Sequence, residues 1–218
     1  MKIKFLGHAT FLLTAADGTA VITDPYEPHG FGGAIGHGPI QDRADIVTVS
    51  HDHADHNHAR GVPGNPQVIQ SVGEHAAKGV SITGVPTHHD SSGGSQRGHN
   101  IVFVIAVDGV RVCHLGDLGH PLTQDQAKAL GEVDVLLVPV GGTFTVDATG
   151  ASAVVQALDP KIVIPMHFKT PKVKLPLAPV DTFLAGQSNV RRAGASEVEI
   201  TRDTLPAHRE IIVLEPAF

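Results

Sequence analysis

The sequence predicts an α/β fold in which two packed β-sheets carry helices on their outer faces. Three observations lead there. The first half of the chain is dense in short, β-branched, uncharged runs. The second half alternates such runs with helical segments, and 24 glycines and 15 prolines punctuate the junctions. A hydrophobic content of 41% suffices for a core, and a charged fraction of 17% is too low for a disordered chain. At 218 residues the length fits one domain over 1–218.

In order along the chain, Lys2–Leu6 and Thr10–Thr14 read as strands around a bend at Gly7-His8-Ala9. Ala16-Asp17-Gly18 is a hairpin turn, and Ala20–Thr23 is the next strand, ended by Asp24-Pro25 because proline cannot donate to a ladder. Tyr26–Arg43 lacks periodicity and reads as a long loop. Ile46–Ser50 is a buried strand. Gln67–Gln70 is a short strand, Val72–Lys78 a short helix closed by Gly79, and Val80–Val85 a strand ending at Pro86. Asn100–Val107 and Val110–His114 flank the turn Asp108-Gly109 as a hairpin. Thr123 caps a helix through Leu130. Val133–Val138 is a buried strand, Ala148–Leu158 a helix stopped by Asp159-Pro160, and Lys161–Ile164 a strand. A helix near Val180–Ala185 and strands near Glu197–Ile200 and Ile211–Leu214 complete the chain.

Composition narrows the function. A net charge of −6 and the scarcity of aromatic residues argue against nucleic acid or an anionic membrane surface as partner. Cys113 is the lone cysteine, which removes disulfide frameworks and cysteine-based zinc sites. With no signal-like or membrane-length apolar stretch, a cytoplasmic setting is expected.

Fifteen histidines are far more than ordinary usage, and three of them fall in His51-Asp52-His53-Ala54-Asp55-His56, directly after a buried strand. No strand or helix needs this composition. Desolvating so many ionisable groups costs several kcal/mol unless something compensates, and a bound cation is the simplest compensator. Ligand-type residues also stand after other apolar strands: His88/His89, Asp117 and His167. Seven nitrogen and oxygen donors exceed what one tetrahedral zinc uses and suit two adjacent metals.

His51-x-His53-x-Asp55-His56, then His89, Asp117 and His167 in that order, resembles the metallo-β-lactamase superfamily, whose fold is a four-layer αββα sandwich of two mixed sheets. Gly7-His8-Ala9-Thr10-Phe11, Gly116-Asp117 and Ile164-Pro165-Met166-His167 resemble the branch containing ascorbate-6-phosphate lactonase and related uncharacterised Zn-dependent hydrolases. The resemblance implies that His51, His53 and His89 hold one metal and that Asp55, His56 and His167 hold the other, with Asp117 bridging. His88 stays open as the alternative to His89, which fits better when His88 takes the aromatic place of a Pro-x-aromatic-His-Asp pattern. The implied cofactor is a pair of Zn ions, with Mn or Fe as alternatives. Asp55 is the implied catalytic group, orienting a shared hydroxide or taking its proton. The expected activity is hydrolysis of an ester, lactone or phosphodiester in a small, possibly anionic molecule. A nuclease-type phosphodiesterase and a metal-binding protein without a hydrolytic step are the alternatives.

Around this set, Asp24 is a candidate partner for an imidazole of the cluster, and His8 a candidate cleft residue. Asp90 pairs with a ligand histidine or caps its loop. His114 and Cys113 are expected in the core, and His29, His37 and His120 at the surface. Of Lys169, Lys172 and Lys174, only Lys169 is retained as an anchor for a carboxylate or phosphate, and Arg97 is equally ambiguous.

Overall fold

Strand pairing starts at the N-terminus. In a computed structural model describing residues 1–218, β1 (Lys2–Gly7), β2 (Thr10–Thr14) and β3 (Ala20–Thr23) form an antiparallel meander. After a short turn of helix, α1 (Gly30–Gly33), strands β4 (Ile46–Thr48) and β5 (Gln67–Ile69) add in parallel. A second antiparallel meander follows: β6 (Gly73–Ala77), β7 (Val80–His88), β8 (His99–Val107) and β9 (Val110–His114). The chain then alternates through α2 (Gln124–Leu130), β10 (Val135–Pro139), α3 (Ala148–Leu158), β11 (Ile162–Met166), α4 (Val180–Leu184), β12 (Val190–Arg192), β13 (Glu197–Glu199) and β14 (Glu210–Val213).

Two mixed sheets result, ordered β13-β1-β2-β3-β4-β5 and β12-β14-β11-β10-β9-β8-β7-β6. The small sheet is buried on both faces, and the alternation of its side chains shows it. Phe11, Leu13, Val21 and Ile46 join the large core shared with the second sheet, while Leu12, Ile22 and Val47 join a separate cluster with Tyr26, Ile35 and Val173. Burial on both faces is why β3 and β4 read as continuous apolar runs. Outside the small sheet the helical layer is reduced to α1 and a 3-10 turn at Ala59–Gly61, and the loop from Tyr26 does most of the covering. Helices α2 and α3 lie against the large sheet, with α4 beside α3. No helix is long and apolar enough to cross a membrane.

Beyond α1 and β12, which the sequence does not announce, three segments differ from expectation. Val72–Lys78 contains a strand, β6, rather than a helix; Lys78 (φ 50°) and Gly79 (φ 79°) form a tight turn that pairs it with β7. Strand β7 runs through Pro86 because β6 ends its pairing at Gly84, so proline's missing N–H faces no partner. Likewise β11 passes Pro165, beyond the last residue paired with β14. Helix α3 starts at Asp147, whose side chain accepts the Gly150 N–H, and α2 carries a full capping box between Thr123 and Gln126.

Candidate metal centre

Six strands end at one rim, and each hands over a polar residue. His8 follows β1, Asp24 follows β3, His51–His56 follow β4, His89 follows β7, Asp117 follows β9 and His167 follows β11. The rim of the small sheet supplies His8, Asp24 and the hexapeptide; that of the large sheet supplies His89, Asp117 and His167. Gly116 lets them converge. Its φ is 55°, and a Cβ there would lie 2.4 Å from Asn100 Oδ1 and 2.6 Å from Ser50 Cβ.

Asp117 stands at the middle. Its Oδ2 is 3.2 Å from His89 Nε2, 3.5 Å from His167 Nε2 and 3.9 Å from His51 Nε2; its Oδ1 is 3.3 Å from His56 Nε2. Donor atoms of His51, His53 and His89 lie within 4.8 Å of one another, and so do those of His8, Asp55, His56 and His167. His53 is the most open of them. His88 turns away, towards the rings of His99 and His120.

Hydrogen bonds fix which nitrogens are free. Asp24 is fully buried and accepts the Ser50 N–H (2.8 Å), the Ser50 hydroxyl and His56 Nδ1–H (2.9 Å). With its one proton on Asp24, the Ser50 hydroxyl must accept from His51 Nδ1, 2.9 Å away. His51 therefore presents a bare Nε2 to the cluster. Nε2 of His51 and of His56, and Oδ1 of Asp117, are buried with no hydrogen-bond partner. Buried polar atoms are seldom left so, and three converging ones fit a cation. His8 Nε2 donates to Asp55 Oδ2 at 2.9 Å, and His8 O accepts the His167 N–H at 2.8 Å, tying the two rims together.

The charges follow from burial and neighbours. Burial pushes His51 and His167 down to about 3, so both rings are neutral near pH 7. His53 is lowered by the same cause. Burial works against charge on His56 too, but Asp117 and Asp55, with Asp24 behind, raise it well above its ordinary value. Burial would raise Asp117 and Asp55, yet His167 and His56 around the first, and His56 and His8 around the second, hold both well below the carboxylate range.

The other predicted residues separate by environment. Asp90 caps its own loop: burial works against its charge, but the N–H groups of Arg97, Gln96, Ser92 and Gly94 hold it at about 2. His114 is buried, bonded through Nε2 to Ala9 O at 2.8 Å, and burial raises the buried Cys113 thiol. His29 is exposed, and His120 Nε2 accepts the His88 N–H. His37, expected at the surface, is instead fully buried, its ring tilted against Tyr26 and bonded to Phe218 O, because the covering loop folds inward over the small sheet. Lys169 does not line the cleft; its ammonium donates to Leu175 O. Arg97 does border it. Ser50 and Asn100 were not singled out by the sequence. Asn100 accepts the Asp117 N–H and donates to Thr87 Oγ1 and Leu115 O, setting the turn that delivers Asp117.

The chain is similar to proteins of one known superfamily. A family model for the β-lactamase superfamily domain matches residues 2–167. A UPF0173 metal-dependent hydrolase from Thermococcus kodakarensis is 29% identical over 197 residues, covering 78% of this chain and 85% of its own. One from Methanoregula boonei is 33% identical over 198 residues, covering 78% and 83%. A candidate Zn-dependent hydrolase of the metallo-β-lactamase superfamily from Thermotoga maritima, 41% identical, superposes with a TM-score of 0.81 over 98% of both chains. Strand order, convergent donors and family match together place the chain in the metallo-β-lactamase superfamily of metal-dependent hydrolases.

Proposed function

We propose that residues 1–218 act as one domain that hydrolyses an ester, lactone or phosphodiester bond of a small molecule with two divalent cations, zinc before manganese or iron. His51, His53 and His89 would hold one cation and Asp55, His56 and His167 the other, with Asp117 between them. The observation that carries this reading is the convergence of unpartnered donors from both sheets, Nε2 of His51 and His56 and Oδ1 of Asp117. An all-nitrogen-and-oxygen set of this kind suits these metals.

Cations bound there supply Lewis acidity, bringing the pKa of water towards about 7 and stabilising negative charge on the attacked group. The chain's own residues do the rest. Asp24 and Ser50 keep the protons of His56 and His51 on Nδ1 and so aim each Nε2 inward. His8 holds Asp55 turned into the cleft. Asp55, kept ionised, accepts a hydrogen bond from the attacking water and orients it. The cavity of about 280 Å³ above the cluster has room for a small molecule.

The test combines metal analysis with turnover on a panel of esters, lactones and phosphodiesters. His53→Ala and Asp117→Ala are expected to lower metal content and bring hydrolysis to background. Full activity and full metal content in both variants would overturn the assignment.

A further inference from the structure

Arg97 borders two cavities, and it is the only lysine or arginine lining either. One, of about 280 Å³, sits on the His–Asp cluster; the other, of about 580 Å³, lies across His53, which both share. Arg60, Arg191, Arg192, Arg202 and Arg209 each pair with a carboxylate. Arg97 pairs with none. Its partner is the Phe144 ring, with Cζ 5.2 Å from the centroid, a contact that leaves the N–H groups of the guanidinium free. Arg43 and Arg111 also lack a carboxylate partner, but neither lines the cleft, so Arg97 is the one such arginine open to it.

The loop beneath Arg97 is not slack. Four N–H groups, including that of Arg97, donate to the Asp90 carboxylate over 2.7–3.0 Å and pin the backbone. Binding through Arg97 then orders little besides the side chain itself. Around it the wall is apolar: Phe144, Leu175 and Phe31 line the same cavity. Phe31 is 52% exposed and has φ 51°, a left-handed conformation that is rare for a bulky residue. An exposed, constrained aromatic and a free guanidinium, facing one cavity, are complementary to a single kind of molecule.

We propose that the hydrolytic cleft takes amphiphilic anions. The apolar part of the substrate lies on Phe31, Phe144 and Leu175, and a carboxylate or phosphate separate from the bond cleaved sits in the fork of Arg97. This assignment rests on the hydrolase reading for its chemistry, but its test reads binding alone.

The metal-loaded protein is titrated with phenylacetate, phenyl phosphate and neutral phenylacetamide, following chemical shifts. Arg97→Ala is expected to weaken the anions by about 10–100-fold, the worth of charge-assisted hydrogen bonds, and to leave phenylacetamide unchanged. Arg97→Lys should recover part of the loss, since lysine keeps the charge without the fork. The anion that loses more identifies carboxylate or phosphate as the recognised group. Phe31→Ala should weaken all three probes alike. No loss in Arg97→Ala, as for anions held by the cations only, overturns the proposal, and so does an equal loss for the neutral amide. A chain that binds anions through Arg97 yet hydrolyses nothing keeps this assignment and loses only the hydrolytic one.

Discussion

Three residues of the cluster, His8, Asp24 and His167, sit at positive φ, 55°, 39° and 51°. Non-glycine residues adopt this region rarely, and where they do the surroundings must hold them there. Here the restraints are explicit: the His8 carbonyl takes the His167 N–H, and Asp24 is held by three hydrogen bonds from Ser50 and His56. Asp24→Asn keeps the shape but turns one acceptor into a donor facing His56 Nδ1 or Ser50. On the proposed ligand set, metal affinity should fall by about 10–100-fold, measured by competition with a chromogenic chelator. Wild-type affinity in this variant would mean that Asp24 serves the fold alone. The hexapeptide was legible because imidazoles and carboxylates clump there with no structural use. Ser50 was not, since a serine ending a strand is ordinary. Nor was His37, whose burial depends on how an aperiodic loop folds back on Gly7.

Among the elements, β6 is the instructive one. Glu74-His75-Ala76-Ala77-Lys78 has good local helix formers, yet the segment is the edge strand of the large sheet. Its polar, exposed residues suit an edge, where an apolar strand would invite further pairing. The turn leaves little signal in the sequence because lysine is unusual at a position needing positive φ. Lys78→Asn places a residue that tolerates φ 50° in that turn. It should stabilise the protein by on the order of 1 kcal/mol, read from chemical denaturation. A helix over the same residues would be weakened instead, so the sign distinguishes the two conformations. By contrast, α3 and the hairpin β8–β9 were readable to within a residue or two. Asp159-Pro160 stops the helix, and Asp108-Gly109 marks the hairpin turn.

Over the whole molecule, the packing of two sheets was legible from the change of rhythm between the halves of the chain, and their mixed pairing only from the family resemblance. The thin outer layer on the small sheet was not, because loop packing leaves no period in the sequence. Burying so many histidines sets the stability of the metal-free protein against acid. His51 and His167 are held at about 3 against about 6.5 in an unfolded chain. Between those values the unfolded chain binds protons that the folded one refuses, so stability rises with pH across this window and is lost on acidification. Burial lowers His53, His114 and His37 in the same direction. His56 acts oppositely: its contribution is present below about 6.5 and lost as pH rises through its elevated folded value. The lowered groups outnumber it. The Tm of the chelator-treated protein should therefore fall by several degrees between pH 7 and 5, at about 2–4 °C per kcal/mol lost. A flat profile in scanning calorimetry would count against this burial.

The cluster lies astride the seam between the sheets, with the hexapeptide on one lip and His89, Asp117 and His167 on the other. An ion gripping both lips is also a clasp. Prising the halves apart would then have to tear coordination bonds as well as apolar contacts, and losing the ion would leave like-charged or thirsty groups face to face. Catalytic competence and mechanical cohesion would share one fastener, so a cell short of metal would lose enzyme molecules as well as turnover.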